Sequence, residues 1–492
     1  SGKNAYGIAA VSSAGSAGSG DSGDTAGDVT LEVGADVTAS GTGAYGLYGE
    51  STGGTSNGTI AITIDSGATI TGSDDATAAV YFVNGDSNTL TSSGTITTSD
   101  IYSQSLYAVK ASGGALSVTN NGTFSGAVDF DTDYTNSFTN ESGATLITNS
   151  EFDLGSSGTI TNNGTISPGD TGVVLVTGIK GLFSQSSEGT LLIDLDGKTT
   201  DYLYFYTEGA TLDGVVSVNT VSASQADGSS VIAEAKSGTI ASGLTATNTA
   251  TASYTVTTGT ADEISLSWHF STADEDLLSS ASDNQRSVAG HLQKVLEAGG
   301  LGSELAALLN IVEGDDYIAA LDSYASQVSS DTQVSSLFSG QGFADALLSC
   351  STREGEYRFV TQDSCVWMRT GGARTDKSAS ASSRSFQQNS WQVATGSQFE
   401  VRDDWYLGAG LSLETQSLSS GGIASSSGNF YQAGLVAKHT IGNTMLTASL
   451  GGGYGVYDIT RYIYSGDIAT GDQSMWTVSG QVSASHAFAM AN

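Results

Sequence analysis

The sequence predicts an all-β chain in three consecutive parts: a parallel right-handed β-helix (a solenoid), a short α-helical connector and an antiparallel transmembrane β-barrel. Short Gly-Thr phrases followed by apolar residues return through about the first 275 residues. A stretch with helical periodicity follows, and segments of about ten residues that alternate apolar with small polar residues fill the remainder. The middle pattern differs from the other two in period, and the two alternating patterns differ in the length of their segments, so we predict three different kinds of structure.

The first pattern is an imperfect repeat of strands and turns. "GTIAITIDSGATITGS" (58–73) alternates apolar and small polar residues, and related phrases lie at 93–100, 121–126, 142–150 and 157–167. Glycines of these phrases, at positions 58, 94, 122 and 158, are 36, 28 and 36 residues apart. Units that cannot bury their own apolar face and recur in this way are typical of a β-solenoid. An array of β-sandwiches is the alternative.

The second pattern predicts a helical connector of about 70 residues. "NQRSVAGHLQKVLEAGG" places four apolar residues on one helical stripe: Val288, Leu292, Val295 and Leu296. "SELAALLNIVEG" repeats the stripe with Leu305, Leu308, Leu309 and Val312. Ser303 stands where an N-cap residue is expected.

The third pattern is typical of a transmembrane β-barrel, with apolar side chains outward and small or polar side chains inward. In "WYLGAGLSLE", one face carries Trp405, Leu407, Ala409, Leu411 and Leu413, and the other carries Tyr406, Gly408, Gly410, Ser412 and Glu414. The segments at 431–439, 446–454 and 476–486 alternate in the same way.

About six such strands are present, whereas a sheet in lipid must close and needs at least eight strands to do so. We therefore expect a truncated barrel whose remaining strands lie beyond residue 492. The chain begins "SGKNAYG", without Met, so we expect either a processed chain or a fragment.

Composition restricts the partners and the compartment. The net charge is −35, and no arginine precedes Arg286. Such a surface repels phosphate backbones, so we expect no nucleic-acid partner. The only two cysteines are Cys350 and Cys365, and their absence from the rest of a long chain suggests export. We favour a structural disulfide between them over a reactive thiol; closing that loop would stabilise the fold by about 3 kcal/mol.

Several phrases of the chain resemble autotransporters, the type V secretion proteins of Gram-negative outer membranes. "NNGTISPGD" (162–170), which contains the single proline, Pro168, resembles the phrase that closes the regular β-helix of the exported part, the passenger. Residues 181–219 resemble the autochaperone segment, 284–293 the connector, and 350–376 a barrel entry in which two cysteines flank a loop. The order of the three predicted parts is also that of the family.

The resemblance implies a division into four parts. These are solenoid repeats of the passenger (1–165), an autochaperone-like cap (166–275), the helical connector (276–349) and the N-terminal portion of the barrel (350–492). Pro168 is expected to mark the boundary between the first two parts, because proline cannot donate to a strand ladder.

The resemblance also implies a function and a location. The barrel would anchor the chain in the bacterial outer membrane and help to translocate the passenger, which would be exposed at the cell surface or released. We expect the passenger to be an adhesin or aggregation factor. Expected partners are the lipid bilayer, the barrel-assembly machinery, periplasmic chaperones, and host or neighbouring-cell surfaces. One alternative is an enzymatic passenger, a protease or lipase, whose catalytic part lies upstream of residue 1; another is a non-secreting channel with a soluble plug.

The residues themselves predict no catalytic site, cofactor or metal. "GDSG" at 20–23 suggests a nucleophilic Ser22, but no histidine precedes His269, so no base is at hand. The carboxylate pairs Asp74/Asp75 and Asp194/Asp196 are expected to be solvated turn residues, with sugar or Ca²⁺ binding as the alternative. "YLYFY" (202–206) is expected to cap and pack the end of the solenoid, with ligand stacking as the alternative.

Overall fold

A computed structural model describes residues 5–14, 24–72, 76–259, 262–300, 302–350, 363–380 and 383–488. The chain divides into two compact units, Ser1–Asp274 with Leu292–Gly314, and Glu275–His291 with Asp315–Asn492. Parallel sheets form the first unit and an antiparallel sheet forms the second, which confirms the predicted all-β class. The four-part division made from the sequence stays a prediction.

The strands of the first unit are short and follow one another at short intervals. In chain order they are β1 (Tyr6–Ser13), β2 (Val29–Val33), β3 (Val37–Ala39), β4 (Ala44–Thr52), β5 (Ile60–Ile64), β6 (Thr69–Gly72), β7 (Ala76–Asn84), β8 (Ser87–Ser92), β9 (Thr95–Thr98), β10 (Tyr107–Ser112), β11 (Ala115–Asn120), β12 (Thr123–Ser125), β13 (Ala127–Asp129) and β14 (Ser137–Asn140). They continue with β15 (Thr145–Thr148), β16 (Glu151–Asp153), β17 (Thr159–Asn162), β18 (Thr165–Pro168), β19 (Val176–Lys180), β20 (Leu182–Gln185), β21 (Thr190–Gly197), β22 (Thr199–Thr200), β23 (Tyr202–Leu212), β24 (Val215–Ala223), β25 (Asp227–Ser242), β26 (Thr245–Ala246), β27 (Ala252–Thr258) and β28 (Glu263–Phe270).

The chain winds through three parallel faces, one strand per face in each coil. Face 1 has the order β1-β4-β7-β10-β13, and β16 and β19 follow in the same place in the next two coils. Face 2 has the order β2-β5-β8-β11-β14-β17-β20-β23, and face 3 has the order β3-β6-β9-β12-β15-β18-β21-β24-β26. The long strand β23 pairs with both β19 and β20. This winding is a parallel β-helix, as predicted.

Two faces explain the uneven spacing of the Gly-Thr phrases. Gly94 and Gly122 precede β9 and β12, which are neighbours on face 3, so their 28-residue separation is one coil. Gly58 precedes β5 on face 2, and one coil further on its carbonyl accepts from the N–H of Asp86 at 3.0 Å. The same phrase therefore opens strands on both faces, and the 36-residue intervals combine a coil with a change of face.

The interior of the solenoid is mainly apolar and contains a column of buried amides. Phe138 packs edge-to-face against Phe124 and Phe152, with ring centroids 5.0 and 5.1 Å away. Beside these rings, buried amides join successive coils in an amide column: Asn120 Nδ2 donates to Asn140 at 2.8 Å, Asn140 to Asn162 at 2.7 Å, and Asn162 to Gln185 at 2.9 Å. Each amide both donates and accepts, so its burial leaves the polar atoms satisfied.

Pro168 is the last residue of β18 and lies opposite Thr148. The next N–H, that of Gly169, donates to Thr148 at 2.9 Å, and alternate N–H groups of a strand point to opposite sides. The proline nitrogen therefore faces β21, where the ladder runs only through Thr165 and Ile166. The stack itself continues past Pro168, because β21, β24 and β26 follow on face 3.

The last strands and a short helix complete the first unit. β28 pairs antiparallel with both β25 and β27. The helices of the chain are α1 (Asp283–Ala298), α2 (Ser303–Leu309), α3 (Gly314–Tyr324) and α4 (Gln327–Leu347). Asn310, just after α2, accepts from the N–H of Thr220 at 2.8 Å and donates to the Thr220 carbonyl at 2.9 Å. Residues 292–314 of the predicted connector thus belong to the solenoid unit.

Two details of the predicted second helix are wrong. Gly302 is the N-cap of α2 and no side chain caps it, because Ser303 is already the first helical residue. Val312 lies beyond the end of α2 and is 64% exposed, so the apolar stripe ends earlier than its periodicity suggested.

The second unit contains six long strands in the order β29-β30-β31-β32-β33-β34, each antiparallel to the next. They are β29 (Cys365–Lys377), β30 (Phe386–Arg402), β31 (Trp405–Ser420), β32 (Ala424–Ile441), β33 (Thr444–Tyr462) and β34 (Ile468–His486). Among the helices of the described residues, none combines the length and the apolar character needed to cross a membrane.

Candidate functional site: the antiparallel sheet and helix α4

The two faces of the antiparallel sheet differ in character, as the alternation predicts. On one face, large apolar side chains are exposed: Leu411 is 62%, Leu435 62% and Leu450 60% exposed. On the other face of the same strands, Ser412, Glu414 and other polar side chains are buried. An apolar surface this large is unfavourable in water and favourable against lipid tails.

Aromatic residues border the apolar face at two levels. At one level, Tyr431, Tyr454 and Trp476 are direct neighbours across β32, β33 and β34, and the last two rings are 4.5 Å apart. At the other level, Trp405 stacks on His439 at 4.2 Å. The levels are eight residues apart along β31, which is about 27 Å of strand and, at a tilt of about 40°, about 20 Å of height. This height is comparable with the apolar band of outer-membrane barrels.

Helix α4 lies against the inner face of the sheet. Near its C-terminal end, Phe343 and Leu347 pack on Ala394 and Val436. A Cβ added to Gly434 would lie 2.5 Å from Leu347 Cδ1, so a larger residue there would require the Leu347 side chain to shift. Small inward residues on the strands thus serve as the seat of an apolar helix face.

The middle of α4 contacts the sheet through a polar network. Ser336 Oγ and the Tyr457 hydroxyl are 2.8 Å apart, and that hydroxyl donates to Gln416 Oε1 at 3.0 Å. Gln416 Nε2 donates to Ser339 Oγ at 2.9 Å, and Ser339 donates to Glu414 Oε1 at 3.0 Å. These bonds give three buried polar side chains of the inner face, Glu414, Gln416 and Tyr457, partners on the helix.

Lys438 fixes the end of the helix. This residue is only 1% exposed. Its ammonium donates to the carbonyls of Leu348 at 2.9 Å and Cys350 at 3.1 Å. A cation at a helix C-terminus satisfies free carbonyls and complements the helix dipole. In the sequence, the signal for this role is a lone lysine that shares the inward face of β32 with Gln432 and Gly434.

The structure contains a disulfide between Cys350 and Cys365, with Cα atoms 6.1 Å apart. Cys365 begins β29, and Cys350 is the residue whose carbonyl binds Lys438. The bond therefore joins the segment that follows α4 to the first strand of the sheet.

Among the other residues considered in the sequence, those that the structure describes form no reaction site. Ser22 and the Asp74/Asp75 pair lie outside the described residues. His269 contacts Asp227 at 2.6 Å, on the surface of the solenoid. In the described part of the chain, no three His, Cys, Asp or Glu side chains are placed to hold a metal ion.

The prediction that Asp194 and Asp196 are solvated turn residues is wrong for Asp194. Asp194 is 1% exposed and its Oδ2 accepts from the N–H groups of Gly172 and Val173 at 2.7 and 2.9 Å. It is buried because it fastens the loop that follows Pro168. Asp196 instead accepts from Ser222 on the surface.

"YLYFY" is divided between the interior and the surface. Leu203 and Phe205 are fully buried, whereas Tyr206 is 43% exposed and contacts Tyr204 at a centroid distance of 4.9 Å. The apolar members pack the solenoid, as expected, and the tyrosines line its outer side.

An antiparallel sheet with an apolar, aromatic-bordered outer face and a helix on its polar inner face defines a membrane-spanning β-barrel domain. Residues 366–492 match the family model of the autotransporter beta-domain, and the chain carries that domain. No curated protein and no solved structure matches the chain. The predicted resemblance and location are confirmed: the domain places the chain in the bacterial outer membrane, with a passenger exposed at the cell surface.

Proposed function

We propose that this chain is a surface adhesin or aggregation factor, displayed by its own β-domain. The β-domain implies anchoring in the outer membrane and translocation of the passenger. The finer role, adhesion, is supported by the outer surface of the solenoid.

Rows of hydroxyl side chains on two faces carry this proposal. On face 2, ladder neighbours form the row Thr63, Thr91, Thr119, Thr139, Thr161 and Ser184. On face 3, the row is Thr69, Thr95, Thr123, Thr145, Thr165 and Thr190. Neighbours in a row are one strand spacing apart, about 4.8 Å.

Such rows suit adhesion because they repeat one weak contact many times. Threonine has a short, stiff side chain, so little rotamer entropy is lost when it is held at an interface. Each hydroxyl both donates and accepts, and it carries no charge that must be desolvated. Several rows on one rigid stack can therefore add small contributions into stable attachment.

Folding of the solenoid provides a physical reason for export. Each coil docks on the preceding one, so folding can propagate from one end of the stack. We propose that the segment after Pro168 folds first, as an autochaperone. Two contacts support this: Asp194 accepts from the N–H groups of Gly172 and Val173, and Asn310 accepts from the N–H of Thr220 near the end of the stack.

The partners in this proposal follow from the compartments that the chain passes through. Periplasmic chaperones would hold the unfolded passenger, the barrel-assembly machinery would insert the β-domain, and the bilayer would surround it. The surface partners would be host cells or neighbouring bacteria. We propose no enzymatic activity and no nucleic-acid partner, the latter because of the net charge of −35.

The test compares adhesion of cells that display the full chain or its variants. Thr119→Arg with Thr139→Arg places two long charged side chains in the face 2 row, whereas Thr171→Arg with Thr199→Arg makes the same change at exposed positions outside the two rows. We expect the first pair to slow cell settling and reduce attachment to host cells several-fold, and the control pair to leave both unchanged. Display is equalised by measuring passenger released with protease. Equal adhesion of all variants, or of cells without the chain, would contradict the proposal.

A further inference from the structure

Face 1 of the solenoid is interrupted in its middle. Among the described strands, β13 pairs with β10 and β16 pairs with β19, but no ladder joins β13 to β16. A cleft of about 350 Å³ opens at this interruption. Faces 2 and 3 continue without a break through the same coils.

The cleft has an apolar base, and hydrogen bonds between coils close one of its ends. Ala127, Val128 and Phe130 form an apolar floor and are 4–6% exposed. At one end, the loop before β10 reaches across: Gln104 Nε2 donates to Ser150 Oγ at 3.0 Å, and Asn149 Nδ2 donates to the Ser103 carbonyl at 2.8 Å. The opening is therefore held by hydrogen bonds between different coils and exists before any ligand arrives.

Carboxylates paired with lysines form the two rims. Asp129 pairs with Lys110 on one rim, and Lys180 pairs with Glu151 and, at 2.8 Å, with Asp153 on the other. Hydrogen bonds to Asp153 and Glu151 raise the pKa of Lys180, so it stays charged and holds both carboxylates in position. With two lysines against three carboxylates, the rims keep a small negative charge and spare acceptor lone pairs.

Tyrosines are concentrated on this face. Of the eleven tyrosines among residues 1–275, eight lie on strands of face 1 or on the part of β23 that pairs with β19: Tyr6, Tyr45, Tyr48, Tyr81, Tyr107, Tyr202, Tyr204 and Tyr206. The two groups flank the cleft, and each rim lysine extends over one of them: Lys110 lies 5.3 Å from the Tyr107 ring, and Lys180 lies 5.6 Å from the Tyr206 ring.

We propose that this cleft binds a neutral oligosaccharide, whose further sugar units lie along the flanking tyrosines. A pyranose ring has apolar C–H faces, which pack on aromatic rings, and hydroxyl edges, which donate to carboxylates and amides. The cleft is at the small end of ligand pockets, about 300–1,000 Å³, and so holds a short part of a glycan. The proposal rests on the proposed function, because it names the ligand of a surface-displayed passenger.

The charge and the shape of the cleft distinguish this ligand from others. Sialylated or uronate-containing glycans would meet three carboxylates on a chain of net charge −35. An extended peptide could pair only with the three-residue strands β13 and β16, which offer few ladder bonds. The charge of the rims therefore disfavours acidic glycans, and the short edge strands disfavour an extended peptide.

The experiment measures binding of cells displaying the full chain to immobilised hexasaccharides of glucose, mannose, galactose and N-acetylglucosamine. Sialylated and uronate oligosaccharides and a lysine-rich peptide are spotted beside them. We expect binding to at least one neutral hexasaccharide and not to the acidic ones. Asp129→Asn with Glu151→Gln removes rim charges and should weaken that binding about tenfold or more.

A second variant keeps the test independent of the ion pairs. Thr132 is exposed and lines the cleft, so Thr132→Trp should fill it without disturbing the core, while Thr171→Trp in an exposed loop serves as the matched control. Absence of neutral-sugar binding by the wild type, undiminished binding in both cleft variants, or preference for the acidic sugars or the peptide would overturn the proposal.

The two proposals fail separately. If cells adhere through face 2 but bind no neutral oligosaccharide, the cleft proposal falls and the adhesin proposal stands. If neutral oligosaccharide binding depends on the cleft but the cells neither aggregate nor attach, the adhesin proposal falls instead.

Discussion

The solenoid and the membrane sheet use the same alternating pattern with opposite results. In β5 of the solenoid, Ile62 is 1% exposed, and its neighbour Thr63 faces outward. In β31 of the membrane sheet, Leu411 is 62% exposed and its neighbour Ser412 is buried. Alternation assigns residues to two faces in both regions, but the surrounding medium decides which face is turned inward.

The solenoid and the membrane sheet also differ in how their buried polar groups obtain hydrogen-bond partners. In the solenoid, buried polar groups form the amide column, in which each coil supplies one member to the next. In the membrane sheet, Glu414, Gln416 and Tyr457 each contact a serine of a separate element, helix α4. A repeating stack can satisfy a polar column with copies of itself, whereas these inward side chains of the sheet find partners on a helix that packs against them.

The largest expected effect tests whether the apolar face of the membrane sheet is turned outward to lipid. Leu435→Arg puts a charge in the middle of the lipid-facing surface and should destabilise the sheet by about 2–4 kcal/mol. Thr139→Arg, on the outer face of the solenoid, should change stability by no more than about 0.5 kcal/mol. Guanidinium unfolding of the full chain in lipid vesicles measures both. Similar losses in the two variants would mean that Leu435 does not face lipid.

The next effect concerns the amide column. Asn140→Ala removes the bonds of Asn140 to Asn120 and Asn162 and leaves buried polar groups without partners, at a cost of about 1–3 kcal/mol. The control is Asn121→Ala, at the exposed residue next to Asn120, for which we expect little change in stability. Amide hydrogen exchange of the strands around residues 120, 140 and 162 is the measurement. Equal protection in both variants would show that the column does not hold the coils together.

A pH effect is expected in the solenoid. Burial raises the pKa of Asp201 to about 8, and the nearby Asp194 carboxylate adds to this rise. The backbone N–H groups of Asp194 and Leu175 donate to Asp201 and lower its pKa, but by less. Because the folded pKa exceeds the unfolded value of about 3.9, this group's contribution to stability is lost as pH rises from about 4 to about 8.

Asp201→Asn tests this effect by removing the titration. The melting temperature of the passenger should fall between about pH 5 and about pH 8 in the wild type, and by less in the variant. Asp196→Asn, at the surface nearby, should leave the wild-type slope unchanged. A variant with the full wild-type pH slope would assign that slope to other groups.

The smallest effect concerns Pro168. Pro168→Ala frees the backbone in the unfolded chain, which costs about 0.4–1 kcal/mol, and should slow folding of the passenger without changing insertion of the β-domain. The measurement is the rate at which protease-accessible passenger appears on cells, with Thr165→Ala on the same strand as the control. If the rate of display is unchanged, Pro168 has no part in the folding boundary.

Much of the fold could be predicted from the sequence because its signals are local. Alternation around Trp405–Leu413 and the helical stripe at Val288–Leu296 are properties of neighbouring residues. "YLYFY" was expected to cap and pack the end of the solenoid; Leu203 and Phe205 do pack in its interior, whereas the tyrosines line its outer side. The predictions that failed, the Ser303 cap, the place of Val312 in the helical stripe and the exposure of Asp194, depended on where an element starts or ends and on which distant loop lies beside it.

The sequence by itself determined the three kinds of structure, the two faces of each strand and the family of the C-terminal domain. Only the tertiary structure decided which residues are stacked. Coil neighbours on faces 2 and 3 are separated by 20 residues at Ser117 and Ser137 but by 33 at Val37 and Ile70, so no fixed period aligns them. The amide column, the seat of α4, the Lys438 contacts and the cleft on face 1 all follow from these distant pairings. They depend on the summed packing of whole coils, which no local pattern contains.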